Sequence, residues 1–212
     1  ESALDWPPLL AHANAVEGYV REKMGAYEEA EAASRKAYFL AAASGAWDVA
    51  GRTAVDLIYT VGYREARYVD GRMWAQHAEV ALAHAGDRAG LAEAQRLNNL
   101  AAIQLETGEY VEAQTSLEGT LRIREQALGP GHPDVAKVLS NLGSVYQATG
   151  AYAEAQALYE RSLAIREQVL GPSHPDVVNS LQNLATVHLA TGAYAEAQAL
   201  NERALAIREE AL

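Results

Sequence analysis

With 212 residues, half of them hydrophobic and none of them cysteine, the chain suits one domain or one elongated repeat array, and disulfides and thiolate metal sites are excluded. Its 17 Lys and Arg are scattered among 28 Asp and Glu, and a formal net charge of −11 with no basic stripe argues against nucleic acid and anionic membranes as partners. No apolar run approaches the ~20 residues of a membrane span, and the first residues lack the basic leader and apolar core of a signal peptide. A cytoplasmic location is expected, and the start at Glu1 and the end at Leu212, inside a helical pattern, read as a piece cut from a longer protein.

In chain order, one unit returns five times. Tyr27, Tyr68, Tyr110, Tyr152 and Tyr194 are spaced by 41 or 42 residues, and each is followed three positions later by a small residue: Ala30, Gly71, Ala113, Ala155 and Ala197. Residues 108–149 and 150–191 share 24 identities in 42 positions, which duplication explains and chance does not. The units predicted are 7–44, 46–86, 88–129, 133–171 and 175–212, a single array over 1–212 with two helices in each unit. In the first, Glu17 falls near a core position, and the spacing of 41 predicts a register displaced by one residue. In the second, Tyr59 stands where a small residue is expected, so the helix crossing there is looser or shifted.

The fourth unit is the most legible. Val135, Val138, Leu139, Leu142 and Val145 recur at helical spacing. Pro133 and Asp134 suit a helix start, with the His-Pro pairs at His132 and His174 shaping the entry, and Gly150 suits a left-handed cap. A second helix carries Tyr152, Ala155, Leu158, Tyr159, Leu163, Ile165 and Val169 up to Gly171-Pro172. The short turn folds the two helices antiparallel. Gly143 and Ala155 mark a close crossing, with Leu139, Leu142, Tyr159 and Leu163 around it. One hairpin cannot bury both faces, so the hairpins stack. The fold class expected is all-α, a right-handed superhelical solenoid of about five antiparallel helix pairs with one concave wall.

The stretches Leu139-Ser-Asn-Leu-Gly-Ser-Val-Tyr146 and Gly150-Ala-Tyr152-Ala-Glu-Ala155 resemble the tetratricopeptide signature. The linker Leu128-Gly-Pro-Gly-His-Pro-Asp-Val135, repeated as Leu170-Gly-Pro-Ser-His-Pro-Asp-Val177, together with Ile123-Arg-Glu-Gln-Ala-Leu-Gly129, is similar to the kinesin light chain subclass, most specifically over 97–212. The opening Ala3-Leu-Asp-Trp-Pro-Pro-Leu9, with Val61-Gly-Tyr63 and Ala66-Arg-Tyr68, looks like arrays C-terminal to bacterial serine/threonine kinases. The resemblance implies ligands along the concave wall. Carried over by position, that wall gathers Gln95, Asn98, Asn99 and Ala102, then Lys137, Ser140, Asn141, Ser144 and Gln147, then Asn179, Gln182, Asn183 and Thr186.

Amide side chains offer a donor and an acceptor, so a ladder of them satisfies an extended peptide backbone. The same asparagines also suit a scaffolding role, bonding a neighbouring helix. Lys137 is the one cation in this set, which departs from arrays that grip an acidic carboxylate tail. His77 and His84 stand two turns apart, His132 and His174 a repeat apart, and His188 falls near a packing position; none has metal-ligand spacing. Glu28-Glu29 and Glu209-Glu210 read as solvated surface charge. No phosphate loop, nucleophile elbow or zincin motif occurs, so no catalytic residue, metal or cofactor is expected. The expected function is a protein- or peptide-binding scaffold. The alternative is a regulatory or architectural arm, restraining a catalytic domain on the same chain or self-associating through the uncapped last helix, where Leu200, Leu205, Ile207 and Leu212 are the exposed candidates.

Overall fold

The structure, a computed structural model, describes residues 6–86 and 90–210. Residues 1–5, which open the kinase-associated string, and Leu212 lie outside the described residues. The described residues form helices α1 (Pro7–Lys23), α2 (Tyr27–Ala43), α3 (Trp47–Leu57), α4 (Tyr68–Ala85), α5 (Leu91–Glu106), α6 (Tyr110–Leu128), α7 (Pro133–Ala148), α8 (Tyr152–Leu170), α9 (Pro175–Thr191) and α10 (Tyr194–Glu210), with a π-helical segment, Ile58–Arg64, prolonging α3. They fall into two compact units, Glu1–Glu109 and Tyr110–Leu212.

Most of the turns follow from a glycine at the helix end; after the π-helical segment the left-handed residue is Ala66, at φ 54°. After α7 the chain closes on Gly150, at φ 80°, with Ala151 N donating to Tyr146 O at 2.8 Å and Gly150 N to Gln147 O at 3.1 Å. This is the Schellman pairing, which satisfies carbonyls that would otherwise lack donors and which a residue with a Cβ at the left-handed position disfavours. The long bond of that pairing recurs as Ala26 to Arg21, Ala46 to Ala41, Glu109 to Gln104 and Ala193 to His188. At the other end, α7 and α9 each begin on a His-Pro pair whose histidine is the cap: His132 Nδ1 accepts from Asp134 N, and His174 Nδ1 from Asp176 N, both at 3.1 Å.

In the second unit the core is built from faces of α6 to α10. Val135, Ala136, Leu139 and Ile165 form one buried layer, and Val177, Val178, Leu181, Ala204 and Ile207 another. Gly143 lies against the ring of Tyr159, where an added methyl group would stand 2.6 Å from Cε1. Neighbouring repeats are tied at equivalent positions. The buried guanidinium of Arg124 donates to Asp134 O at 3.2 Å, and Arg166 donates to Ser180 Oγ. Arg161 pairs with Glu125, and Arg203 with Glu167. The last helix is less open than its sequence implies. Ile207 is buried against Val177 and Val178, which corrects its reading as an exposed residue; Leu200 is half-buried, and Leu205 is exposed.

In the first unit the crossings have moved, as the departures at Glu17 and Tyr59 foretold. Gly18, not Glu17, is the buried residue of α1 that meets α2 at Ser34. The α3–α4 crossing falls at Gly62, inside the π-helical segment, against Gly71. The five-residue bonding is explicit in Glu65 N to Thr60 O at 3.1 Å.

Candidate functional site

The polar positions singled out by their repeat register divide into two behaviours. In the first unit Asn99 is turned inward. Asn99 is 5% exposed; its Nδ2 donates to Val55 O at 3.0 Å, and its Oδ1 accepts from Gln95 Nε2 at 2.7 Å. Asn99 therefore ties α5 to the last turn of α3, which is the scaffolding role. Asn98 and Ala102 are half-buried beside it.

In the second unit the equivalent side chains reach solvent. On α7, Lys137 and Asn141 are exposed and Ser144 is half-buried; on α9, Asn179 and Thr186 are exposed and Asn183 is half-buried. Each trio runs i, i+4, i+7, a single helical face. Lys137 Nζ sits 2.9 Å from Asp134 Oδ1, one turn back, and that pairing holds the Asp134 carboxyl below its ordinary pKa. Thr186 Oγ1 donates to Gln182 O at 2.9 Å. Ser140 departs from the set: it is buried, with its hydroxyl 2.8 Å from Ser162 Oγ, and Ser162 in turn donates to Ala136 O at 2.7 Å. Ser144 Oγ and Gln147 Oε1 both lie within hydrogen-bond distance of the Tyr159 hydroxyl, at 3.1 and 3.2 Å. Arg208 of α10, absent from the sequence reading, reaches this face and donates to Gln182 Oε1 at 3.1 Å.

The first unit also holds a concavity that the sequence did not reveal. It encloses about 290 Å³ between α1 (Gly18, Tyr19, Glu22, Lys23), Ser34 of α2, Asp56 of α3, Tyr59 and Thr60 of the π-helical segment, and Gln95, Asn98 and Asn99 of α5. Lys23 pairs with Glu22 at 2.8 Å and lies over the Tyr19 ring, 5.1 Å from its centroid. Arg64 lies over the Tyr59 ring at 5.1 Å, and Tyr59 stacks on Tyr63 at 5.4 Å. Asp56 opens to solvent within the concavity but is crowded by protein on its sides. That loss of hydration, aided by the negative charge of Glu22, pushes its carboxyl up to about 6.

Two of the histidines pack against aromatic side chains. His77 Nδ1 lies 3.1 Å from the Tyr38 hydroxyl, and His84 stacks on Trp47 at 4.6 Å. Among the described residues no three His, Cys, Asp or Glu side chains gather to hold a metal ion, and no helix is long and apolar enough to cross a membrane.

The solved structure of BtubC (BKLC) from P. vanneervenii is similar to this chain, with 26% identity and a TM-score of 0.82 over 96% of this chain and 82% of that one. A kinesin light chain-like protein of Podosopora anserina with nearly identical TPR-like repeats has a TM-score of 0.78 at 22% identity, over 98% of both chains. The Pseudomonas aeruginosa pilF structure has a TM-score of 0.66 at 22% identity, over 94% of this chain and 77% of that one. No curated protein matches the chain. The tetratricopeptide repeat profile matches residues 90–168 and 134–210, more than half of the chain. By sequence, and by a fold shared along nearly its whole length with kinesin light chain-like arrays, the chain belongs to the tetratricopeptide repeat family.

Proposed function

We propose that the chain is a non-catalytic scaffold that holds an extended peptide or a segment of a partner protein against the polar face of α7 and α9. The observation that supports this reading is the repeated trio: Lys137, Asn141 and Ser144, then Asn179, Asn183 and Thr186, all in the same helical register and all at least partly open to solvent. A buried asparagine such as Asn99 is accounted for by the helix it ties. Asn141 and Asn183 stand at the same repeat position, at the solvent face, where an amide offers a donor and an acceptor to a peptide backbone. Lys137 within this face and Arg208 beside it favour a ligand with an acidic residue near them. The stacked layers beneath keep the face stiff, which lowers the ordering cost of binding.

Selection of peptides from a displayed random library on the 212-residue chain, followed by chemical-shift mapping of the winners, tests this reading. Shifts clustered on Asn141, Asn179, Asn183 and Thr186 are expected. Shifts confined to the opposite helices of the hairpins, α8 and α10, would contradict it.

A further inference from the structure

The concavity of the first unit has a chemistry of its own. Asp56 makes no hydrogen bond and no ion pair among the described residues, whereas its polar neighbours are committed: Glu22 to Lys23 at 2.8 Å, and Asn99 to both Gln95 and Val55. Arg52, one turn back on α3, is paired with Asp48 at 3.1 Å and acts on Asp56 only at a distance, as does Lys23. With Glu22 and Lys23 offsetting each other, the charge left without a counter-ion is the Asp56 carboxylate.

We propose that this concavity receives the cationic end of an arginine or lysine side chain of a peptide ligand, with the Asp56 carboxylate as its counter-ion. The inference rests on the reading of the chain as a peptide holder. The volume, about 290 Å³, sits at the small end of ligand pockets (~300 Å³ upward), which suits one side chain rather than a larger molecule. A single available carboxylate does not match a divalent metal ion, which takes about six oxygen ligands, but it does match a guanidinium or ammonium group. An anion is opposed by both acids. The tyrosine rings of the wall already carry Lys23 and Arg64 on one face, so Asp56 rather than cation–π contact selects the ligand. Loss of hydration, with the charge of Glu22, raises the carboxyl to about 6 despite the distant Lys23 and Arg52, and an arriving cation relieves that penalty.

The test uses the full 212-residue chain and acetyl-arginine N-methylamide, beside its citrulline counterpart, which has nearly the same shape and no charge. Saturable amide shifts at Gly18, Thr60 and the Asn99 side chain are expected with arginine and with the lysine analogue, and not with citrulline. Asp56→Asn, with its spectrum otherwise unchanged, weakens arginine binding about tenfold or more, as loss of a charge-assisted hydrogen bond does. Equal shifts with arginine and citrulline, or arginine binding unchanged in Asp56→Asn, would overturn the proposal. Library-selected peptides that depend on Asn141 and Asn183, found while arginine binds parent and Asp56→Asn alike, would leave the peptide-holding reading intact and remove this site. Arginine bound at Asp56, with no selected peptide using α7 and α9, would keep this site and remove that reading.

Discussion

Gly62 and Gly71 meet backbone to backbone: a methyl group on Gly62 would stand 2.8 Å from the Gly71 Cα and 2.4 Å from Ile103 Cδ1. The equivalent crossing in the fourth repeat is softer, because the obstacle to a methyl group on Gly143 is the Tyr159 ring. Overpacking costs about 1–3 kcal/mol, and alanine returns up to ~1 kcal/mol in helix propensity. Gly143→Ala is therefore expected to lose about 1 kcal/mol. Gly62→Ala is expected to lose more, about 2 kcal/mol, because the overpacking stands near its upper limit where the obstacle is the Gly71 backbone. Urea denaturation of both variants checks the order, and equal losses would mean that the π-helical crossing relaxes freely.

That crossing shows how far the sequence could be read. Tyr59, bulky where its repeat equivalents Ala101 and Gly143 are small, announced a displaced contact. It did not announce a π-helical segment, since a change from four- to five-residue bonding leaves no period of its own in a run as short as Ile58–Arg64. The hairpins were legible because identical units repeat, and so was the polar strip on α7 and α9. Asp56 was not: one acid among 28 acquires meaning only when α1, the π-helical segment and α5 close around it. Burial also sorted residues that register treats alike: Asn99 and Ser140 are buried in helix contacts, whereas Asn141 is exposed.

His132 and His174 act as helix caps through Nδ1. Replacing a capping acceptor by alanine removes about 1 kcal/mol. His132→Ala and His174→Ala are each expected to lose that amount, whereas His→Asn, which keeps an acceptor at the same place, loses less than half of it. Thermal melting at pH 7.5 distinguishes the two substitutions. Identical melting of Ala and Asn variants would show that the ring acts by packing rather than by accepting the bond.

Asp56 couples stability to pH. Its folded pKa, about 6, lies above the ordinary value of 3.8. Between those values the folded chain holds the proton more tightly than the unfolded chain, so this group's contribution falls as pH rises from about 4 to about 6 and stays unfavourable above. Because the side chain opens to solvent, screening holds the effect to about 1 kcal/mol or less. Asp56→Asn is expected to melt above the parent at pH 7 and level with it at pH 4. A constant difference across that range would show that Asp56 titrates normally.

The most direct test of the scaffold is isothermal titration of one library-selected peptide into the parent chain and into Asn141→Ala/Asn183→Ala. Two lost hydrogen bonds of about 1 kcal/mol each predict a rise in Kd of roughly thirtyfold. An unaltered Kd in the double variant would contradict peptide holding by the polar face of α7 and α9.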